Sequence, residues 1–322
     1  MHKTLLEAIG NTPLVRIPFD VPAQIYAKLE YANPGGSVKD RSAIYMIEDA
    51  EKTGQLKPGG TIIDASSGNH GIAVAMIGAA KGYRVIIVVS EKISQEKLET
   101  LRAYNAQVVI CPPTDRIDDP EGYHTVALRL QKETPNSFMP NQYFNPLNAL
   151  AHYTLLGPEL WEQTEGTVTH FFAGAGTGGT VTGVGRYLKE RNPNVKIFAV
   201  DSVNSYRATN GCPKPYCVEG MGIDFDSPVL DCTVLDEILT VSDDDAIAML
   251  KVVAAKGFLV GPSSGAVVHA AYQYAKEHLS ERDRVVLIFG DSGRAYLSKG
   301  FYAQGEVENM PRKKSSYSQV HP

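Results

Sequence analysis

The chain has 322 residues, of which 43% are hydrophobic and 21% charged, so it can bury a large core and is longer than one domain usually is. The formal net charge of -5 argues against a nucleic-acid partner, which needs clustered Lys and Arg to neutralise phosphates. No apolar run approaches the roughly 20 residues of a membrane span, and the N-terminus has no apolar signal core. We therefore expect a cytoplasmic protein with no membrane contact.

The first part of the chain alternates β-branched runs with helical patterns. Strands are predicted at 61–64, 84–89 and 107–110, and helices near 71–81 and 95–104. Because their apolar runs are nearly continuous, these strands are expected in a parallel sheet that is covered on both faces.

A second series follows, with strands predicted at 168–172, 196–200 and 284–289 and helices near 180–191, 243–256 and 265–279. The middle helix opens at Ser242 with Asp245 three residues on, which is a typical N-terminal cap. Two doubly wound α/β domains are the simplest fold class, with the polar stretch 134–149 near their boundary. The stretch 304–322 has no apolar period and is predicted to be a disordered tail.

Four cysteines in a chain of this length do not make a disulfide framework. Cys212, Cys217 and Cys232 are close in sequence, but no histidine lies near enough to suggest a zinc site, and we expect no metal ion. A redox-sensitive pair of Cys212 and Cys217 is an open alternative.

The stretch 34–41 places a lysine at the start of a helix. Ser37 with Asp40 three residues on, just before an apolar period, predicts a capped helix start. Lys39 then lies in the first turn, where the helix dipole disfavours an ammonium by several tenths of a kcal/mol. This favours the neutral amine, which is the form that attacks a carbonyl. The alternative is a solvated surface lysine paired with Asp40.

The glycine-rich loop 174–180 follows a predicted strand and opens a helix, an arrangement that suits a phosphate. Gly174, Gly176 and Gly179 also satisfy G-x-G-x-x-G, and Asp201 ends the next strand, so a nicotinamide- or flavin-dependent dehydrogenase is a rival interpretation. The position of the loop in mid-chain and its two threonines, whose hydroxyls suit a terminal monophosphate, argue against a dinucleotide. A tight turn with no ligand is the third alternative.

Two further polar loops, 66–71 and 261–266, also open predicted helices. Free amides and small hydroxyl side chains at a helix start suit a carboxylate, and the Asn69 amide can hydrogen-bond a ring oxygen. Alone, such a loop is more often a structural cap than a site. Together with Lys39 and the glycine-rich loop, they describe one ligand with a phosphate, a ring and a carboxylate.

Five motifs in this order resemble the cysteine synthase and cystathionine β-synthase family, which are pyridoxal-phosphate enzymes of the tryptophan-synthase-β fold (fold type II). They are Ile-Gly-Asn-Thr-Pro-Leu at 9–14, Ser-Val-Lys-Asp-Arg at 37–41, Ser-Gly-Asn at 67–69, Gly-Thr-Gly-Gly-Thr at 176–180 and Gly-Pro-Ser-Ser-Gly at 261–265. The resemblance covers residues 5 to about 303.

The resemblance implies a role for each matching position. Lys39 would form the Schiff base with pyridoxal 5'-phosphate, Asn69 would contact the 3'-oxygen, and Ser263 would face the pyridine nitrogen. The phosphate would be held by Gly176, Thr177, Gly178, Gly179 and Thr180. The substrate would be bound by Ser66, Ser67, Gly68, His70 and Gln142, together with a flexible segment made of Gly220, Met221 and Gly222.

The resemblance also implies an organisation for the chain. A smaller α/β domain would span 40–148, and a larger one would be built from 1–39 and 149–303, with the cofactor cleft between them. A homodimer is implied as well. The chain starts at the catalytic motif and ends soon after Tyr302, so we expect neither a haem-binding extension nor a regulatory domain pair.

The implied chemistry is β-replacement. Lys39, once displaced by the substrate amine, would act as general base, because burial keeps its amine neutral. The neutral hydroxyl of Ser263 would leave the cofactor a weaker electron sink, which favours loss of a β-leaving group over racemisation. A thiol or sulfide would then add, giving cystathionine or cysteine from serine or an O-activated serine. Release by water would instead give pyruvate and ammonia.

Two departures bear on this choice. Ser66 and His70 replace two threonines that are usual in cysteine synthases, and Ser-Gly-Asn-His resembles the serine/threonine dehydratases. Val38 and the Gly-Thr-Gly-Gly-Thr loop differ from those enzymes, so we favour β-replacement over elimination. His70 is either an acid that assists the leaving group or a packed residue, and we favour packing. The stretches 219–225 and 290–294 look closer to cystathionine β-synthases, although Ile223 stands where those enzymes often have tyrosine.

Overall fold

The computed structural model describes residues 2–114 and 116–302 of the chain. The predicted disordered tail at 304–322 therefore lies outside the described residues. None of the helices in this part of the chain is long and apolar enough to cross a membrane.

The strands of the described residues form two sheets. In chain order they are β1 (Leu14–Ile17), β2 (Gln24–Leu29), β3 (Thr61–Ala65), β4 (Arg84–Ser90), β5 (Gln107–Cys111), β6 (Ser137–Phe138), β7 (His170–Gly174), β8 (Lys196–Ser202), β9 (Glu237–Val241) and β10 (Arg284–Phe289). The larger sheet has the order β1-β2-β10-β7-β8-β9, and the smaller one β5-β4-β3-β6. Every neighbouring pair is parallel except β1 with β2, which confirms the predicted parallel α/β class.

The α-helices lie between these strands. They are α1 (Lys39–Lys52), α2 (Asn69–Lys81), α3 (Gln95–Ala103), α4 (Tyr123–Glu133), α5 (Leu147–Ala151), α6 (Gly157–Gln163), α7 (Gly179–Arg191), α8 (Asp243–Ala254) and α9 (Pro262–His278). A π-helical turn, His152–Leu156, joins α5 to α6. The division of the chain into domains at 40–148 stays a prediction.

The six strands predicted from apolar runs are all present, with ends that shift by two residues at most. The sequence analysis missed β1, β2, β6 and β9. Both β1 and β9 are edge strands, and each carries exposed as well as buried residues, so neither has a continuous apolar run. β2 interrupts its apolar run with Lys28, which is nevertheless fully buried.

The two helix starts that were predicted from sequence have different outcomes. At α8 the Ser242 hydroxyl accepts a hydrogen bond from the Asp245 amide over 3.2 Å, which confirms the cap. At α1 the predicted cap is wrong, because the helix begins at Lys39 and Asp40 turns back to accept from the Gly35 amide over 2.6 Å. A carboxylate that accepts from the Gly35 amide is turned away from the Ser37 amide, which it would bind in the predicted cap.

Alternate residues of the central strands pack on opposite faces of each sheet. On β8, Phe198 and Val200 belong to one buried cluster, whereas Ile197 and Ala199 belong to another. The smaller sheet repeats this on β4, where residues 85, 87 and 89 face one cluster and 86 and 88 the other. Both sheets are therefore covered on both faces, which is why their strands read as continuous apolar runs.

Candidate active site

A cavity of about 550 Å³ contains most of the predicted cofactor residues. Its lining includes Lys39, Asn69, Gly174, Gly176, Thr177, Gly178, Thr180, Gly220, Ser263, Gly290 and Asp291. Four helices, α1, α2, α7 and α9, start at or beside this lining, so four positive helix ends converge on one space.

Lys39 is the first residue of α1, and its Nζ lies 3.4 Å from Thr177 Oγ1 of the glycine-rich loop. Burial lowers its pKa to about 8, and the Asp64 carboxylate only partly offsets this. The interpretation of Lys39 as a surface lysine paired with Asp40 is therefore wrong. A larger share of this amine is neutral near pH 7 than in an ordinary lysine.

The glycine-rich loop has room for a ligand but not for side chains. Gly178 has φ +88°, and a Cβ built there would lie 2.5 Å from the Leu230 Cβ. A Cβ on Gly176 would lie 2.9 Å from the Gly220 carbonyl oxygen. Because these positions accept only glycine, the backbone forms an uncovered cradle at the start of α7, which fits a terminal phosphate.

Two buried residues that the sequence analysis missed hold the threonines of this loop. Asn148 Nδ2 donates to Thr177 Oγ1 over 3.0 Å, and His152 Nε2 lies 3.2 Å from Thr180 Oγ1. Burial, aided by the positive charges of Lys39 and Arg41, holds the pKa of His152 well below its usual range, so its ring is neutral. The only sequence signal for Asn148 was its place in the polar stretch 134–149, and His152 lies just beyond that stretch, in the π-helical turn.

Asn69, the first residue of α2, is held by a residue from beyond β10. Its Nδ2 donates to Asp291 Oδ2 over 2.6 Å, and Tyr296 Oη donates to the same oxygen over 2.5 Å. Burial raises the pKa of Asp291. Asp291 and Tyr296 were not predicted as site residues.

Ser263 lies in the first turn of α9 and lines the cavity next to Gly220, which belongs to the segment 220–222 that was predicted to bind substrate. A Cβ on Gly220 would lie 3.3 Å from the Ser263 hydroxyl oxygen. Gly220 and Gly222 both have positive φ, and Met221 between them is buried in the core. The segment is thus anchored at its centre, while its glycines allow the backbone to pass close to Ser263.

Of the predicted substrate residues, Gly220 lines the cavity, whereas Ser66, Ser67, Gly68 and Gln142 are not in its described lining. Gln142 Nε2 donates weakly to Ser66 Oγ over 3.4 Å, and Ser67 Oγ accepts from the Ser90 amide over 2.7 Å. Gly68 is open, with no heavy atom closer than 4.0 Å to a Cβ built on it. The substrate role of these residues stays a prediction.

His70 is 1% exposed, and its Nδ1 lies 2.9 Å from Asp64 Oδ2. It does not line the cavity. Its environment favours the packed alternative over the acid, and its role in substrate binding also stays a prediction.

Asp201, which the dehydrogenase interpretation assigned to a ribose, is 4% exposed at the end of β8. Its carboxylate accepts from the Ser205 hydroxyl over 2.7 Å and from the Ser202 amide over 2.8 Å. The carboxylate that the dinucleotide fingerprint would assign to a ribose is therefore already hydrogen-bonded to neighbouring residues of its own turn.

Comparison with known proteins identifies the family of the chain. The family model described as "Pyridoxal-phosphate dependent enzyme" matches residues 5–291. The chain belongs to this family. Pyridoxal phosphate is thus the cofactor of the chain, and the dehydrogenase interpretation is wrong.

The similar proteins within this pyridoxal-phosphate family include cystathionine beta-synthases and cysteine synthases. Cystathionine beta-synthase of Apis mellifera is 46% identical over 305 residues, which cover 92% of this chain and 60% of that protein. Cysteine synthase of Staphylococcus aureus (strain Mu50) is 42% identical over 304 residues, covering 93% of this chain and 96% of that protein. The chain therefore spans only about three fifths of the cystathionine beta-synthase it matches.

A solved structure supports the same family assignment. The O-acetylserine dependent cystathionine beta-synthase from Helicobacter pylori has a TM-score of 0.88 with 38% identity, covering 94% of this chain and 99% of that one. The predicted resemblance to the cysteine synthase and cystathionine β-synthase family and the fold type II class are confirmed.

Proposed function

We propose that the protein replaces the β-substituent of serine or of an O-activated serine with a thiol or sulfide, giving cystathionine or cysteine. The observation that carries the proposal is the Lys39 amine, with its pKa lowered to about 8, in one cavity with a phosphate cradle and Ser263. The names of the relatives, cysteine synthase and cystathionine beta-synthase, support the same reaction class.

The residues present fit pyridoxal phosphate. The cradle of Gly176, Thr177, Gly178, Gly179 and Thr180 would hold its phosphate, and Lys39 would hold its carbonyl carbon. Asn69 has one N–H on Asp291, which leaves the second for the ring oxygen. When bound, the cofactor supplies an electron sink for the carbon that loses a proton.

Lys39 is the proton carrier of the proposed reaction. Displaced from the carbonyl carbon by the amine of the amino acid, its neutral Nζ would accept the proton from Cα as the Cβ–O bond breaks, and the departing oxygen would carry away the proton that the thiol or sulfide gives up. The same nitrogen returns the proton to Cα after the thiol or sulfide has formed the Cβ–S bond. A buried amine suits both steps, because its pKa near 8 lies close to the working pH.

Ser263 and the loop beginning at Ser66 would direct the outcome. Ser263 offers a neutral hydroxyl to the ring nitrogen, which limits electron withdrawal and favours early loss of the leaving group. Ser66, Ser67, Gly68 and Gln142 would receive the substrate carboxylate near the positive end of α2. The glycines of the 220–222 segment would let it close over the amino acid.

The test is an incubation with serine or O-acetylserine, with and without homocysteine or sulfide, followed by identification of the products. Thioether or cysteine formation that requires the added nucleophile is expected. Borohydride should fix the cofactor on Lys39, and Lys39→Ala should lose both the visible absorption and the activity. Formation of pyruvate from serine alone would instead establish elimination. A protein with no visible cofactor absorption would contradict the proposal.

We also propose a homodimer in the cytoplasm, on the resemblance alone. Light scattering on the purified full chain should give a mass near twice the 35.0 kDa of one chain. A monomer at micromolar concentration would contradict this part of the proposal.

A further inference from the structure

A buried series of polar contacts leads from the cofactor cavity to α3. Lys97 on α3 is 2% exposed, and its Nζ donates to Tyr296 Oη over 3.3 Å while lying 4.4 Å from the centre of that ring. Tyr296 donates to Asp291, and Asn69 donates to the same carboxylate oxygen. These contacts thus join α3, which packs with the smaller sheet, to the segment that follows β10.

The contacts with Asp291 need an acceptor. An ionised carboxylate has only acceptor sites, so one oxygen can accept from both Asn69 and Tyr296. It also fixes which end of the Asn69 carboxamide faces it, because only the amino end can donate. The remaining N–H of Asn69 is then oriented by Asp291.

We propose that Lys97 and Asp291 are positioning residues for the cofactor. The Lys97 cation holds the Asp291 carboxylate ionised, and this carboxylate fixes the Asn69 carboxamide with its second N–H toward the ring oxygen of pyridoxal phosphate. The inference rests on the proposed function, because that proposal assigns Asn69 to the ring oxygen.

The charges around Asp291 support this role. The titratable and charged groups that face it are Lys97 from α3, Glu219 from before the 220–222 segment, and Tyr296 and Tyr302 from beyond β10. Burial raises the pKa of Asp291 and the Glu219 charge adds to this, whereas the Lys97 charge and the hydrogen bonds from Tyr296 and Asn69 lower it. Lys97 also pairs with Glu219, whose other oxygen is 3.5 Å from Lys299.

These opposing charges give two variants with opposite expected effects. Lys97→Met removes the cation, so Asp291 should take up a proton at a higher pH. Glu219→Gln removes an anion, so Asp291 should stay ionised to a lower pH. Lys92→Met is the matched control, because Lys92 is exposed just before the same helix.

The experiment measures cofactor affinity against pH. The full chain is loaded with pyridoxal 5'-phosphate, and the free cofactor at equilibrium is measured after ultrafiltration between about pH 5.5 and 9. Affinities are expressed as ratios to the wild type, which cancels the titration of Lys39 and of the cofactor. For Lys97→Met we expect weaker cofactor binding than in the wild type at the acid end of this range, with the ratio returning toward one at pH 9, because Asp291 in the variant takes up its proton at a higher pH.

In Glu219→Gln the loss of cofactor affinity on acidification should begin at a lower pH than in the wild type. Lys92→Met should match the wild type at every pH. A Lys97→Met ratio that does not change with pH, or shifts of the same sign in both variants, would mean that the pair only stabilises the fold and would overturn the inference. If Lys97→Met does not fold, Tyr296→Phe decides, because it also removes a group that lowers the pKa of Asp291.

Failure of the proposed function looks different. If borohydride fixes no cofactor on Lys39 of the wild type, that proposal falls and this inference falls with it. If the wild type carries the cofactor on Lys39 but the variants lack the opposite shifts, only the inference is overturned.

Discussion

At the scale of single residues, the chemistry of Lys39 is set by what surrounds it. Burial lowers the pKa of its amine to about 8, and the Asp64 carboxylate limits the fall. The helix dipole at the start of α1 acts in the same direction as burial. A lysine that would be fully charged on the surface is thus partly neutral in the cavity, where the proposed function requires it to bind a carbonyl.

The first prediction concerns this titration. The rate at which the cofactor-free chain captures pyridoxal phosphate should rise as pH increases through about 8 and then level off, because the neutral fraction of Lys39 grows over that range. Stopped-flow absorption against pH measures this rate.

Asp64→Asn is the test of the cause. It removes the anion that raises the pKa of Lys39, so the rise should move to lower pH. Lys39→Arg should abolish capture, since a guanidinium stays protonated, and Lys92→Arg should leave it unchanged. An Asp64→Asn profile that coincides with the wild type would contradict the assigned cause.

At the scale of elements, the site is made where helices begin. The starts of α1, α2, α7 and α9 supply Lys39, Asn69, the phosphate cradle and Ser263, so the ends of four separate segments contribute to one cavity. Parallel sheets produce this arrangement, because each strand is followed by a loop and a helix on the same edge. The cradle at α7 is the most constrained of the four starts, since the chain there has no room for side chains.

The second prediction isolates that constraint. Gly178→Ala should destabilise the fold by more than the roughly 1 kcal/mol expected from positive φ alone, and it should weaken cofactor binding. The added cost comes from Leu230, whose Cβ lies 2.5 Å from the new methyl group.

Gly257→Ala is the matched control. Gly257 also has a positive φ, +91°, but no atom lies within 4 Å of its Cβ position. Urea unfolding and cofactor titration of both variants measure the difference. Equal losses of stability, with cofactor affinity unchanged in both, would contradict the cradle assignment.

At the scale of the whole molecule, a buried ion network fixes the helix of Lys39 to the larger sheet. Arg41 on α1 binds Glu30 at 2.7 Å and Glu159 on α6 at 2.7 Å, and Lys28 on β2 also pairs with Glu159. Thr12 joins the network through its hydroxyl, which donates to Glu30 over 2.6 Å. Two cations and two anions balance, so no charge is left uncompensated.

The third prediction follows from that balance. Glu159→Gln leaves two buried cations with one anion and should cost about 3–5 kcal/mol of unfolding free energy. Burial opposes ionisation of Glu159, but Arg41 and Lys28 outweigh it and lower its pKa to about 2. Its contribution should be present above about pH 4.5 and be lost as pH falls toward 2.

Urea unfolding at pH 7 and at pH 3 checks both the size and the sign. The penalty of Glu159→Gln relative to the wild type should be smaller at pH 3. Glu162→Gln, an exposed change on the same helix, should have little effect at either pH. A Glu159→Gln penalty that grows on acidification would contradict the assigned pairing.

The sequence by itself determined the parallel α/β class, and it predicted a set of residues most of which line one cavity in the structure. Continuous apolar runs identified the central strands because those strands are buried on both faces, and glycine spacing identified the cradle because only glycine fits there. Motif order predicted the family, and the match of the family model to residues 5–291 confirmed it.

Only the tertiary structure decided which side chains support these residues. Asp291, Lys97 and His152 are distant in sequence from the groups they contact, and an Asp or Lys in a polar stretch gives no sign of burial. The cap predicted at Ser37 failed for a different, local reason, because the Asp40 carboxylate accepts from the Gly35 amide in the turn before the helix. Polar contacts across long sequence separations depend on how the two sheets bring segments together, and this is information that periodicity and motif spacing do not contain.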